Sequence, residues 1–242
     1  FTWGQNGVVP VAALNVGNGN FQTGGTITNV GATETRDSGD TVRQYHDVAR
    51  YNNSVPTVTG TMKIAMPSSR SWSNTMLSVR ITGFDYSSNG SWEVLIGGYN
   101  YSGPSWVNTS ATSKGRLPFS AVRLGHDGTS NCILLGTTAT VWQYPKVIVA
   151  DVTAGHSNYD GWGAGWGLSV IASEAGIGSI VQPPIDQRSD SSGNAFFNGS
   201  VSASSFSGSI SGNATTATSL AANGANCSSG SFPLGVDASG GS

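Results

Sequence analysis

The sequence predicts an all-β chain in which a jelly-roll-like, two-sheet β-sandwich head is flanked by intertwined β-fibre segments. Three observations lead to this fold class. Between residues 41 and 185, short apolar or alternating segments recur, separated by Ser-Asn-Gly, Asp-Gly and Gly-His-Ser sequences that are typical of turns. No segment shows a sustained helical periodicity with capping residues. The C-terminal end of the chain is rich in Gly, Ser, Thr and Ala and carries few apolar side chains.

Residues 1–40 are predicted to form an N-terminal shaft or connector segment. Residues 19–28 align without gaps on residues 193–202, near the other end of the chain. A pattern that returns on both sides of a different central region indicates one fibrous module used twice. The predicted order is therefore shaft, head, shaft.

Residues 41–185 are predicted to form the sandwich head, because this region holds the apolar runs and all tryptophans except Trp3. Its apolar side chains can fill a core within a single chain. The strand candidates lie at residues 57–66, 76–83, 92–101, 121–125, 131–136, 140–144, 147–153 and 166–173. Cys132 falls in an apolar strand candidate and is expected to be a buried free thiol. Pro183 and Pro184 end the last strand.

Residues 186–242 are predicted to form a C-terminal shaft that needs several chains. The sequence Phe-Asn-Gly-Ser-Val-Ser at 197–202 returns as Phe-Ser-Gly-Ser-Ile-Ser at 206–211, with apolar residues on one parity only. So few apolar groups cannot offset the entropy of ordering one chain, whereas several copies around an axis can bury them together. We expect these copies to form a homotrimer, whose predicted contacts are Phe197, Val201, Phe206 and Ile210.

A family resemblance agrees with this interpretation. The run FNGSVSASSFSGSISGNATTATSLA (197–221), followed by NGANCSSGSFPLGVDASG (223–240), resembles the shaft of bacteriophage tail-fibre and tailspike-type proteins, and GNATTAT (212–218) is its most specific part. In that family the shaft commonly precedes an endosialidase-type intramolecular chaperone. The regions 83–101 and 122–136 also resemble globular modules of such fibres. The resemblance implies a virion tail fibre or extracellular surface fibre, with contacts to other virion or fibre proteins. It further implies that Cys227 does not pair with Cys132.

Composition excludes some partners and favours others. Charged residues make up 10% of the chain, with 11 basic and 13 acidic side chains, so we expect no nucleic-acid binding, which needs clustered lysines and arginines. The sequence has no apolar run of about twenty residues, so we expect no membrane insertion. Seven tryptophans and seven tyrosines among many hydroxyl and amide groups suit sugar binding.

No catalytic residue, metal site or cofactor is predicted. His46 and His126 precede aspartates, but adjacent residues on a strand point to opposite faces, and Asp127-Gly128 is explained as a hairpin turn. A glycan-cleaving enzyme needs two paired carboxylates. The acidic residues of the head are instead scattered singly, at Asp85, Glu93, Asp127, Asp151, Asp160 and Glu174.

Two loops that combine aromatic and amide groups are the candidate binding site. They span residues 99–108 and 156–166, and rings beside hydrogen-bonding groups on a rigid scaffold recognise sugars. The candidate ligand contacts are Tyr99, Tyr101, Trp106, Asn108, Asn158, Tyr159, Asp160 and Trp162. An alternative remains open at this point, since Trp106, Trp162 and Trp166 are equally suited to plug the ends of the sandwich or to pack between subunits.

The expected function is attachment of a homotrimeric fibre to a cell-surface glycan or another receptor, without enzymatic activity. Head loops would give specificity, and several copies would give avidity. A purely structural filament, whose head makes fibre–fibre contacts, is the alternative. A polysaccharide-degrading tailspike is the third hypothesis.

Overall fold

A computed structural model describes residues 33–35, 41–86, 90–189, 194–197 and 201. Their regular structure is β throughout, apart from one 3-10 turn at Ser68–Arg70. Over these residues no helix has the length and apolarity needed to cross a membrane. The predicted all-β class is confirmed.

The strands belong to two main antiparallel sheets and two short strand pairs. In chain order they are β1 (Thr33–Thr35), β2 (Arg43–Asn52), β3 (Val58–Thr59), β4 (Thr61–Ala65), β5 (Thr75–Asp85), β6 (Gly90–Tyr101), β7 (Ser105–Gly115), β8 (Val122–His126), β9 (Asn131–Leu135), β10 (Val141–Trp142), β11 (Lys146–His156), β12 (Gly167–Ile171), β13 (Gly178–Val181), β14 (Gln187–Ser189) and β15 (Ala195–Phe197).

The front sheet has the order β1-β2-β11-β5-β6-β7, and the back sheet has the order β12-β4-β9-β8-β13. β3 pairs with β10, and β14 pairs with β15. Successive main-sheet strands change sheets between β2 and β4, β4 and β5, β7 and β8, β9 and β11, and β11 and β12, while β5, β6 and β7 form a meander in the front sheet. The predicted two-sheet sandwich is therefore present.

The core lies between the sheets and follows the strand alternation. In β5, Leu77, Val79 and Ile81 are buried, whereas the residues between them face outward. One end of the core is closed by aromatic packing, where Trp142 and Phe119 have ring centroids 5.6 Å apart. The buried indole of Trp142 donates to a backbone carbonyl, that of Gly60, at 2.9 Å.

The outer side of the back sheet is also closed. Cys132 and Leu134 are fully buried there, although they lie on the side of β9 that faces away from the core. Ion pairs from flanking strands cover them, with Lys63 Nζ 2.8 Å from Asp127 Oδ2 and Arg123 Nη2 2.7 Å from Glu174 Oε1. Cys132 is a free thiol, as predicted.

Each predicted strand candidate overlaps an observed strand, but β2, β7 and β13 of the head were missed. β2 reads RQYHDVARYN and β7 reads SWVNTSATSKG, so neither has the apolar density of a typical strand. Pairing also extends past the predicted head boundaries. β1 pairs with β2, and the Asp186 amide donates to the Ala111 carbonyl at 3.0 Å.

Candidate functional site

The two predicted binding loops lie at the same end of the sandwich. Thr75 at the start of β5 is opposite both Asn100 of β6 and His156 of β11. The first predicted loop is mostly strand, since β6 continues to Tyr101 and β7 begins at Ser105. Only residues 102–104 connect the two strands, so the aromatic groups of this region are held on a sheet.

Trp106 and Trp162 require a correction, because the structure places both in the core. Their exposed fractions are 5% and 0%. The Trp106 Nε1 group donates to the Gly125 carbonyl at 3.3 Å, and the Trp162 Nε1 group donates to the Asn158 carbonyl at 2.9 Å. Trp166 donates in turn to the Trp162 carbonyl at 2.6 Å. These indoles close the end of the sandwich, which is the structural alternative that the sequence left open.

An aromatic surface remains accessible at this end. It is formed by Tyr99, Tyr101 and His156, and we call it the tyrosine ledge. The ring of Tyr101 is 45% exposed and lies 5.8 Å from that of Tyr99, centroid to centroid. The ring of His156 meets Tyr99 edge to face, also at 5.8 Å. Asn74 Oδ1 accepts hydrogen bonds from the Tyr99 hydroxyl at 3.3 Å and from the Ser102 amide at 2.9 Å.

A buried polar network under the ledge fixes the adjoining turn. Asn100 is fully buried, and its Nδ2 donates to the Arg70 carbonyl at 2.7 Å. Its Oδ1 accepts from the Ser73 amide at 3.2 Å and from Asn131 Nδ2 at 3.0 Å. The Asn74 amide donates to the Asn100 carbonyl at 2.8 Å. A fully bonded buried amide of this kind holds one backbone geometry.

The second predicted loop is tied to the same turn. Thr75 Oγ1 donates to the Ser157 carbonyl at 2.8 Å, and Asn158 Nδ2 donates to the Ser73 carbonyl at 2.6 Å. The exposed Asn158 side chain is thus partly committed to the fold. Both connections make this end of the sandwich rigid before any ligand binds.

Tyr159 and Asp160, also predicted ligand contacts, surround Arg43. The guanidinium carbon of Arg43 lies 4.8 Å from the Tyr159 ring centroid, and its Nε lies 3.3 Å from Asp160 Oδ1. The Tyr45 hydroxyl donates to the Tyr159 carbonyl at 3.0 Å, and burial raises the pKa of Tyr45. The Asp160 side chain stays exposed beside Arg43.

Asn108, the remaining candidate, is exposed on β7 with a φ of 51°. It lies where the pairing of β6 with β7 shifts register, between Gly97 and Tyr99. Asn adopts this left-handed backbone more readily than most residues. Asn108 therefore provides the backbone conformation of the bulge beside the ledge. Asn74 and His156 were not among the predicted contacts; their positive φ values, 58° and 76°, cannot be read from the sequence.

The histidine and carboxylate groups form a charge ladder across the outer side of the front sheet. His46 Nδ1 lies 2.5 Å from Asp151 Oδ1, and Arg80 donates to both Asp151 and Glu93. Lys114 Nζ continues the series at 3.7 Å from Glu93. The partner of His46 is thus Asp151 of β11, the strand beside β2, where the two residues are opposite each other, whereas Asp47 lies 3.2 Å from Arg50. The ladder defined by these five groups alternates basic and acidic side chains from β2 to β7.

The second histidine–aspartate pair is a turn, as predicted. Asp127 Oδ1 accepts from the amides of Thr129 and Ser130 at 3.0 and 2.8 Å. Burial alone raises the pKa of Asp127, but hydrogen bonds from Lys63 and these two amides outweigh it and lower the pKa to about 2.

The other carboxyl groups with shifted pKa values are also stabilised as anions. Burial raises the pKa of Asp151, but hydrogen bonds from His46 and Arg80 outweigh it and lower the pKa. The Arg123 hydrogen bonds lower the pKa of Glu174. Within the described ranges, no group of three or more His, Cys, Asp or Glu side chains is placed to hold a metal ion.

The predicted oligomer contacts lie partly within the structure. Phe197 and Val201 are 52% and 50% exposed, and Phe196 is exposed beside them. A groove of about 260 Å³ lies against both phenylalanines, lined also by Pro183, Pro184 and Ile185. Phe206 and Ile210 lie outside the described residues.

Comparison with protein-family models, with curated proteins and with solved structures finds no match to this chain.

Proposed function

We propose that this chain is the receptor-attachment segment of a homotrimeric, tail-fibre-like fibre on a virion or another extracellular surface. Its ligand is a cell-surface glycan or another receptor, bound at the tyrosine ledge. The observation that carries the proposal is the exposed ring of Tyr101 beside the half-buried ring of Tyr99, on a turn fixed by buried Asn100. Aromatic faces stack on sugar rings, and a pre-organised site avoids the entropy cost of ordering loops on binding.

The exposed apolar groups of the C-terminal hairpin support the trimer. Phe196, Phe197 and Val201 expose large apolar side chains next to a partly apolar groove. The short β14–β15 pair packs against β7 but leaves these apolar side chains exposed, and further chains would cover them. Three ledges on one fibre would raise avidity without a new contact.

The carboxylate geometry favours attachment over cleavage. A glycosidase acid needs a raised pKa and a second carboxylate across the substrate. Asp127, Asp151 and Glu174 instead bind Lys63, Arg80 and Arg123 respectively, and their pKa values are lowered.

The test is binding of the full chain to a glycan array, with Tyr101→Ala as the ledge variant and Tyr86→Ala as the matched control. Tyr86 is an exposed tyrosine at the opposite end of β5. We expect Tyr101→Ala to lose about tenfold or more in affinity for any glycan that the parent binds, taking the loss of one stacking ring as about 1–3 kcal/mol, the range found where aromatic side chains stack on nucleic-acid bases. Equal affinity of the parent and Tyr101→Ala for the glycan would refute ligand binding at the tyrosine ledge.

Light scattering on the same samples measures the assembly. We expect a trimer, which Phe197→Ser should weaken. A trimer that binds neither array glycans nor cells would replace attachment with the structural filament, and a monomer would remove the fibre proposal.

A further inference from the structure

We propose a second ligand site on the outer side of the front sheet, which binds an acidic oligosaccharide with carboxylates on successive sugar rings. The site is a groove with a volume of about 520 Å³. It lies at the end of the sheet opposite the tyrosine ledge, and it would operate whether or not the ledge binds a glycan. We call it the lysine groove, after Lys114 and Lys146.

The strand register sets out the groove. Lys146 of β11 is opposite Phe84 of β5, which is opposite Ser91 of β6. One row further along, Glu93 of β6 is opposite Lys114 of β7. The two lysines therefore stand on strands three intervals apart, which separates their backbones by about 14 Å across the sheet. That spacing matches two or three sugar rings rather than a single small anion.

The charges of the groove leave a positive excess for a ligand. Glu93 is the one carboxylate that lines it, and Arg80 is closer to Glu93 than Lys114 is, at 3.3 Å against 3.7 Å. The Lys114 side chain is 84% exposed, so its ammonium group is free to move to a ligand. Lys146 Nζ donates to the Asn53 carbonyl at 2.9 Å, which uses one of its three donor hydrogens.

The floor of the groove supplies the other groups that a sugar requires. Phe84 is an exposed aromatic ring between the two lysines, at 45% exposure. Thr82 and Ser91 flank it with hydroxyl groups. A ring face, hydroxyls and two separated ammonium groups together match a uronate oligomer, whose rings carry both apolar faces and carboxylates.

The experiment measures calorimetric binding of trigalacturonate to the full chain, with its fully methyl-esterified form as the uncharged probe. We expect the acid to bind and the ester to bind at least tenfold more weakly, with affinity falling as salt rises. Lys114→Gln and Lys146→Gln should each weaken binding two- to fivefold, and the double variant about tenfold or more, as exposed ion pairs do. Lys114→Arg retains the charge and should restore most of the affinity.

Arg50→Gln is the matched control, since Arg50 is an exposed cation of the same sheet outside the groove. An equal loss in this variant would show general charge attraction and overturn the site. Absence of trigalacturonate binding at about 10 mM, where even millimolar sites fill, would also overturn it. Binding that Tyr101→Ala abolishes and the lysine variants leave unchanged would assign the acid to the ledge, which would refute the groove and leave the proposed function standing.

Discussion

Replacing Asn100 with alanine should unlock the turn beneath the tyrosine ledge. Asn100→Ala removes the acceptor of two donors, the half-buried Ser73 amide and the fully buried Asn131 Nδ2. The Arg70 carbonyl keeps a donor, because Ser73 Oγ lies 2.7 Å from it. An orphaned buried donor costs about 1–3 kcal/mol, and a half-buried one costs less. We therefore expect a loss of about 2–4 kcal/mol in the free energy of unfolding.

Thermal unfolding followed by tryptophan fluorescence, at one fixed protein concentration, measures this loss. For a chain of this size, 2–4 kcal/mol corresponds to a fall in Tm of about 4–16 °C. Asn52→Ala, at an exposed position on β2, is the control and should stay within about 0.5 kcal/mol of the parent.

A double-mutant cycle isolates the orphaned group. Asn131 Oδ1 has no hydrogen-bond partner even in the intact protein. Without Asn100 its whole amide is unsatisfied, so adding Asn131→Ala to Asn100→Ala should cost little or restore stability. Additive losses from the two substitutions would refute the network, as would an Asn100→Ala variant as stable as the parent.

Three further predictions concern packing, charge and the buried thiol. A Cβ at Gly83 would overlap the indole of Trp92, whereas one at Gly167 would meet nothing within 4 Å. Gly83→Ala should therefore lose about 1–3 kcal/mol in the free energy of unfolding measured in urea, and Gly167→Ala should not. Similar urea midpoints for the two variants would contradict this packing. The folded pKa of Asp127 is lowered to about 2, so its contribution to stability is complete above its unfolded pKa and is lost as pH falls towards 2. Asp127→Asn should be less stable than the parent at pH 7, and this difference in stability should close by pH 2. A difference that does not change with pH would contradict this. Cys132 is buried and its pKa is raised to about 12. In a variant whose other cysteine is replaced by serine, a thiol reagent should therefore react with Cys132 only after the protein unfolds. Rapid reaction with the folded protein would disprove the burial.

The fold was predictable where hydrophobicity alone decides it. β5 and β9 are dense in aliphatic residues, and both were predicted close to their observed bounds. β2 and β7 were missed because their outward positions are polar and their inward positions are occupied by few large apolar groups. Such strands are ordered by neighbours on both sides rather than by their own composition, since strand preference depends on context.

The candidate site was predictable in place but only partly in its residues. The two amide- and aromatic-rich segments do lie together at one end of the sandwich, because turns collect there. The sequence could not tell that Trp106 faces inward while Tyr101 faces outward, since the bulge between β6 and β7 changes the parity of β7. It also could not pair His46 with Asp151, because that contact depends on which strand lies beside β2.

The two outer faces of the sandwich differ in a way that points to function. On the back sheet, Cys132 and Leu134 are sealed beneath ion pairs, so that face has nothing apolar left to offer around β9. On the front sheet, Phe84, Leu95 and Tyr101 remain exposed along β5 and β6. The charge ladder crosses this face next to the lysine groove, with which it shares Glu93 and Lys114, and its cations pair with its carboxylates. A sheet face that satisfies its charges internally while leaving rings and two lysine ammonium groups in solvent is suited to a long saccharide that contacts both ends. Binding of a longer uronate oligomer should then weaken on substitution of either Tyr101 or Lys114, whereas a trimer of the same sugar should depend on the groove alone.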